Sequence, residues 1–122
     1  MKVLVVDDEQ DVKDLFLQKF RKEIRKGAIE FNFAYSGEEA LDYLQTYGTE
    51  SVLILSDINM PGMTGLELLR KIRTTNPTAP PEVMMITAYG DEANKKSALD
   101  LGANDFLTKP LDFEDLKNKL LK

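Results

Sequence analysis

The run VLVV at residues 3–6 decides the fold, because it is apolar without interruption and rich in β-branched side chains. Two further runs, VLIL at residues 52–55 and VMMI at residues 83–86, have the same character. Unbroken apolar runs of this length predict strands that are buried on both faces, as in a parallel sheet. Weaker strand patterns occupy residues 30–34 and 105–108.

A helical pattern follows each predicted strand. The first predicted helix covers residues 11–26, with apolar residues recurring on one face. The second and third open at Ser36 and Thr64, each with a glutamate three residues later, which is the spacing of a capping box. The fourth begins near Asp91 and the fifth near Asp112. Five strand–helix repeats predict a (βα)5 doubly wound α/β domain, with a parallel sheet between two layers of helices.

Length and charge bound the class of protein. The 122 residues predict one domain over residues 1–122. The 21 Asp and Glu residues exceed the 16 Lys and Arg residues, and this net charge of −5 disfavours direct binding to nucleic acid. The apolar runs are too short to cross a membrane or to form the core of a signal peptide. We therefore expect a cytoplasmic protein without direct membrane or nucleic-acid contacts.

The chain contains neither His nor Cys, and this restricts its chemistry. Imidazole bases, thiolate nucleophiles and sulfur-ligated metals are all removed. Carboxylates, hydroxyls, lysine amines and oxygen-binding cations such as Mg²⁺ remain.

Polar residues follow four predicted strands at the edge where open α/β sheets bind ligands. They are Asp7 and Asp8 after the first strand, Asp57 after the third, Thr87 after the fourth and Lys109 after the fifth. Three ionised carboxylates in one place repel one another unless a cation joins them, and Mg²⁺ suits oxygen ligands. An aspartate can also act as a nucleophile and form an aspartyl phosphate. Asp57 is the best candidate, because it lies between the acidic pair and the Thr and Lys.

Four motifs, with Gly65, resemble those of receiver domains in two-component response regulators of the chemotaxis-regulator-like kind. They are VLVVDDE (residues 3–9), LSDINMPG (residues 55–62), ITAY (residues 86–89) and FLTKP (residues 106–110). The resemblance covers essentially the whole chain, with the motifs in the right order. It implies a flavodoxin-like three-layer sandwich with the strand order 2-1-3-4-5.

The resemblance also implies a role for each acidic residue. Asp57 is the implied acceptor of a phosphoryl group from a phosphohistidine, carried by a sensor histidine kinase or a histidine phosphotransfer protein. Mg²⁺ is the implied cofactor. The carboxylates of Asp8 and Asp57 are its implied ligands, together with the backbone carbonyl of Asn59 and, mainly through water, Asp7.

Five further positions take their implied roles from the same resemblance. Lys109 and Thr87 are the implied contacts of the phosphoryl oxygens, and Lys109-Pro110 resembles the cis peptide of the family. Phe106 occupies the position of the aromatic switch residue, although a plain core position is the alternative. Tyr89 either shields the acyl phosphate from water or only packs against its neighbours.

The implied output is a change of the face formed by the fourth predicted helix, the fifth strand and the fifth predicted helix. That face is expected to control a partner protein or an output domain, with a homodimer formed on phosphorylation as a further possibility. The protein is then a phospho-acceptor switch, not an ordinary enzyme, and catalyses only its own phosphotransfer and autodephosphorylation. The missing His means that the phosphohistidine belongs to another protein.

Two alternative functions use similar residue types. A haloacid-dehalogenase-like phosphatase also uses Mg²⁺ and an aspartyl phosphate, but its nucleophile follows the first strand, whereas Asp57 follows the third. A flavodoxin-like cofactor binder needs a Gly-rich or Ser/Thr-rich phosphate loop after the first strand. This chain has Asp7, Asp8 and Glu9 there, which would repel a phosphate.

Two remaining features do not belong to the predicted site. Residues 19–26 contain Lys19, Arg21, Lys22, Arg25 and Lys26. This basic run is either a solvated helix end, favoured by the helix dipole, or a docking patch for an acidic partner. Thr64 stands where many receiver domains have Asp, and we expect no loss of function because it keeps a capping side chain.

Overall fold

The computed structural model describes residues 1–49, 52–88 and 90–121. Five strands form one sheet: β1 (Lys2–Val6), β2 (Glu30–Ala34), β3 (Val52–Asp57), β4 (Glu82–Thr87) and β5 (Asp105–Thr108). Every pair of neighbouring strands is parallel, and the order is β2-β1-β3-β4-β5. The predicted fold class and strand order are therefore confirmed.

Six helices surround the sheet in the described part of the chain. They are α1 (Asp11–Lys19), α2 (Arg21–Arg25), α3 (Gly37–Tyr47), α4 (Gly65–Thr75), α5 (Glu92–Asp100) and α6 (Phe113–Leu121). The fourth and fifth predicted helices correspond to α5 and α6. The predicted caps are present, because the hydroxyl oxygens of Ser36 and Thr64 accept hydrogen bonds from the backbone N–H groups of Glu39 and Glu67. A side-chain oxygen bound to an otherwise unpaired N–H fixes the point where each helix begins.

The prediction of one uninterrupted helix over residues 11–26 is wrong, because the backbone leaves helical geometry at Phe20 (φ −106°, ψ 18°). Phe20 is fully buried, and its ring lies 4.9 Å from that of Phe31 and 6.0 Å from that of Phe16, measured between centroids. The N–H of Ile24 still donates to the carbonyl of Phe20 at 2.9 Å. The chain therefore kinks, with little loss of hydrogen bonding, so that Phe20 enters an aromatic cluster.

The sheet separates two apolar clusters. Side chains of α3, α4 and α5 cover one face, and side chains of α1 and α6, together with Phe20, cover the other. All six residues of β3 are buried. Alternate residues of the central strands enter different clusters, so neither face of these strands meets water. This explains why the apolar runs have no polar interruption.

The basic run surrounds α2, and all five of its Lys and Arg residues are exposed. Glu23, the acid within the run, is half-buried, and its Oε1 lies 3.6 Å from Nζ of Lys117 on α6. Docking of an acidic partner at this run stays a prediction. In the described ranges, no helix is both long and apolar enough to span a bilayer.

Candidate functional site

Three aspartates meet at the carboxyl edge of the sheet. Asp7 follows β1, Asp57 ends β3, and both are buried, with 6% and 3% of their surface exposed. Asp8 is exposed beside them. Each of the three offers a carboxylate oxygen within 4.8 Å of those of the others. The donor set consists of oxygen atoms and opens to solvent at Asp8, which fits a hard divalent cation such as Mg²⁺.

The environment of Asp7 favours a cation at this edge of the sheet. Burial is the main cause that raises the pKa of Asp7, and the charge of Asp57 raises it further. A hydrogen bond from the backbone N–H of Glu9, at 2.9 Å, opposes these effects only in part. The charge of Lys109 lowers the pKa of Asp7 but leaves it raised, so the ionised carboxylate stays unfavourable, and a bound divalent cation would relieve that cost.

Lys109 supplies one positive charge. Its ammonium group donates a hydrogen bond of 2.8 Å to Oδ2 of Asp57. Burial lowers the pKa of Lys109, but the hydrogen bond and the charge of Asp57, followed by the charges of Asp7 and Glu9, outweigh it and leave that pKa raised. Lys109 is thus held in its charged form directly against the buried carboxylate. The Lys109–Pro110 peptide that follows is cis.

Two backbone segments lie close to Asp57. The N–H of Asn59 donates to Oδ1 of Asp57 at 3.3 Å. Gly65, the first residue of α4, has no side chain, and a Cβ there would strike the carbonyl oxygen of Asp57 and Cα of Ile58. Glycine lets the start of α4 lie directly against the end of β3.

Thr87 and Phe106 lie on the side of the site formed by β4 and β5. The Thr87 side chain is buried, and its hydroxyl donates to the carbonyl of Leu107 at 3.4 Å. Phe106 is half-buried and pairs in register with Met85. The Thr87 hydroxyl is therefore engaged with β5 in this structure. Tyr89 lies outside the described residues.

Two features escaped the reading of the sequence. A cleft of about 520 Å³ adjoins the site, and its polar lining comes from Asp7, Glu9 and Lys109. Its apolar lining includes Leu15 of α1, a large side chain that is 41% exposed. The sequence signal for this cleft was weak, because Leu15 is close to Asp7 and Asp8 in the sequence but its exposure is visible only in the structure.

The second feature is the buried side chain of Arg73 on α4. Its Nε donates to the carbonyl of Gly102 and its Nη2 to Oδ1 of Asn104, both at 2.9 Å. The same Asn104 oxygen accepts the N–H of Val83 at 2.8 Å. Arg73 therefore ties α4 to the starts of β4 and β5. Its position four residues after the buried Leu69, on the apolar face of α4, was the sequence signal.

A five-stranded parallel sheet in this order, with an acidic cluster at its carboxyl edge, defines a flavodoxin-like α/β domain of the CheY-like class. The family model described as "Response regulator receiver domain" matches residues 3–121, and the chain belongs to that family. Receiver domains as a family are phospho-acceptor signalling modules of two-component systems rather than classical enzymes, and this membership favours the receiver over both alternative functions. Receiver domains bind Mg²⁺ at an acidic pocket, and the aspartate cluster provides such a pocket.

The relatives agree with this family. The response regulator RppA of Synechocystis sp. is 36% identical over 120 residues, which cover 98% of this chain and 49% of RppA. The chemotaxis protein CheY4 of Vibrio cholerae is 29% identical with a TM-score of 0.80, over 98% of this chain and 94% of that one. The receiver domain of Ssk1 from Saccharomyces cerevisiae, solved with the histidine phosphotransfer protein Ypd1, has a TM-score of 0.81 and 27% identity, over 98% of this chain and 86% of that one.

The chain spans about half the length of the curated relatives it matches. The extent of the domain over residues 1–122 stays a prediction.

Proposed function

We propose that Asp57 accepts a phosphoryl group from a phosphohistidine on a sensor histidine kinase or a histidine phosphotransfer protein. The observation that carries the proposal is the environment of the Asp57 carboxylate. It is buried, its Oδ2 accepts from Lys109 at 2.8 Å, and the carboxylates of Asp7 and Asp8 lie within 4.8 Å. A nucleophile with an ammonium on one side and a cation-binding cluster on the other suits phosphoryl transfer.

In the proposed reaction, a carboxylate oxygen of Asp57 attacks phosphorus while the phosphorus–nitrogen bond of the donor breaks. The imidazole leaves and takes a proton from solvent. Lys109 then pairs with the phosphoryl oxygens instead of the free carboxylate, and the Thr87 hydroxyl turns from the carbonyl of Leu107 to one of those oxygens. Positive charge and donors placed before the reaction stabilise the charge that develops on phosphorus.

Asp7, Asp8 and Asp57, with the backbone carbonyl of Asn59, are the groups that would hold Mg²⁺. The bound ion would compensate the negative charge of the aspartates and of the phosphoryl oxygens. Autodephosphorylation by water completes the proposed cycle, and shielding of the acyl phosphate by Tyr89 stays a prediction.

The cleft beside the site is the proposed docking surface of the phosphoryl donor. Leu15 and Leu111 line this cleft together with the acidic residues Asp7 and Glu9. An amphipathic helix of the donor, carrying its phosphohistidine, would cover Leu15 while it presents the phosphoryl group to Asp57. The Ssk1 receiver has been solved together with a histidine phosphotransfer protein, which supports a donor of this kind.

The proposed output is a change of the face formed by α5, β5 and α6. Ala98 is the one buried residue of α5, so this helix is held by little apolar contact. A weakly anchored element is suited to move when a neighbouring charge changes. Phosphorylation would pull Thr87 inward, allow Phe106 to turn in, and so alter the face that a partner protein, an output domain or a second copy meets. We place this signalling role in the cytoplasm.

The test is labelling with acetyl phosphate and Mg²⁺, detected by intact mass and by mapping of the modified peptide. We expect one phosphoryl group on Asp57, none in Asp57→Asn, and none when EDTA removes the cation. Asp42→Asn is the matched control, because Asp42 is exposed on α3 and should label as wild type. Label at the wild-type level in Asp57→Asn would contradict the proposal, and multiple turnover on small phosphomonoesters would support a phosphatase instead.

A further inference from the structure

Lys95, on α5, lies against the ring of Phe106 on β5. Its Nζ is 5.0 Å from the ring centroid and 3.5 Å from Oε1 of Glu92. Only 18% of the Lys95 side chain is exposed, whereas Glu92 is 79% exposed. Lysine side chains usually extend into water, and an ammonium within about 6 Å of an aromatic face is attracted to it. The side chain is thus folded onto β5 rather than solvated.

This contact joins the helix α5 to the edge strand β5. Ala98 is the one buried residue of α5, and β5 is an edge strand that pairs with β4 alone. Lys95 and Phe106 line one recess on the face formed by α5, β5 and α6, together with Asp112 and Asp115. The Lys95–Phe106 contact therefore lies on the surface that the proposed function assigns to output.

Thr87 links this contact to the proposed phosphorylation site. The Thr87 hydroxyl donates to the carbonyl of Leu107, the residue that follows Phe106. Movement of Thr87 toward Asp57 would break its hydrogen bond to β5, while the contact of Lys95 with the adjacent ring would remain. The two contacts act on neighbouring residues of one strand.

We propose that Lys95 is a positioning residue that stabilises the resting orientation of Phe106 and so sets how readily the output face responds to phosphorylation. The inference rests on the proposed function. A contact of this kind shifts a two-state equilibrium by about two- to fivefold, according to typical cation–π strengths at partly exposed sites. Loss of the Lys95 charge should therefore favour the active state, while the reacting groups stay intact.

The experiment compares Lys95→Met, which keeps an unbranched apolar side chain, with Lys96→Met on the same helix. Lys96 is exposed, so its variant controls for the loss of one positive charge. Lys95→Arg keeps a cation for the ring and should restore wild-type behaviour. Two readouts are used: binding of beryllofluoride with Mg²⁺, and ¹⁹F NMR of para-fluorophenylalanine placed at position 106.

We expect Lys95→Met to bind beryllofluoride about two- to fivefold more tightly than wild type and to shift the fluorine resonance before any beryllofluoride is added. Lys96→Met should match wild type in both readouts. Unchanged or weaker binding in Lys95→Met, or an equal effect of Lys96→Met, would overturn the role of Lys95 while the proposed function stands. Failure of the wild type to bind beryllofluoride and to label on Asp57 would overturn both.

Discussion

Replacement of Arg73 by Met tests whether a buried guanidinium whose hydrogen-bond acceptors in the described part of the chain are all neutral stabilises this domain. Arg73 is only 9% exposed, and its three hydrogen bonds reach neutral acceptors: Gly102 O and Asn104 Oδ1 at 2.9 Å, and Asn76 O at 3.3 Å. Burial lowers the pKa of Arg73, because desolvation opposes the charged form. Met retains much of the apolar stem but removes every donor.

The magnitude follows from those bonds. A hydrogen bond that involves a charged group contributes about 1.5–3 kcal/mol, and the two bonds at 2.9 Å are the well-formed ones. Desolvation of the guanidinium offsets part of this, so we expect Arg73→Met to lower the free energy of unfolding by about 2–4 kcal/mol. In a domain of this size, that corresponds to a fall in Tm of roughly 8–16 °C.

The assay is urea and thermal unfolding followed by circular dichroism, with Arg70→Met as the control. Arg70 is exposed on the same helix, so its replacement should change stability by less than about 0.5 kcal/mol. Arg73→Met and Asn104→Ala should be non-additive, because the two side chains share a hydrogen bond. An Arg73→Met variant as stable as Arg70→Met would show that desolvation cancels the hydrogen bonds, and would refute the reasoning.

Two other predictions concern the site. Because burial raises the pKa of Asp7 above its usual 3.8, the folded state loses stability as pH rises from that value through the raised pKa. At pH 7 in EDTA, Asp7→Asn should therefore unfold at a higher urea concentration than wild type and should lose the stabilisation that Mg²⁺ gives; a less stable Asp7→Asn in EDTA would contradict this. Gly65→Ala places a Cβ against backbone atoms of Asp57 and Ile58. It should therefore lower the free energy of unfolding, measured in urea, by about 2–3 kcal/mol and slow labelling by acetyl phosphate. Wild-type stability and labelling in Gly65→Ala would show that α4 can shift away.

Much of the architecture was predictable because its signals are local. Residues 30–34 and 105–108 form the weaker strands as predicted, and Ser36 and Thr64 cap α3 and α4. The order of the strands was not local information, and it was predicted only through the resemblance to receiver domains. The kink at Phe20 was missed because the apolar spacing of a helix does not report an aromatic cluster formed with distant residues.

The sequence by itself determined which residue types end each strand, and parallel strands bring those ends to one edge. That placed Asp7, Asp8 and Asp57 together before any contact was known. The tertiary structure decided how side chains pair across the fold: Lys109 reaches Asp57 from 52 residues away, and Lys95 lies on Phe106 instead of in water. Strand ends follow from the repeating geometry of the backbone, whereas the partner and orientation of a side chain depend on the packing of elements that are far apart in the chain.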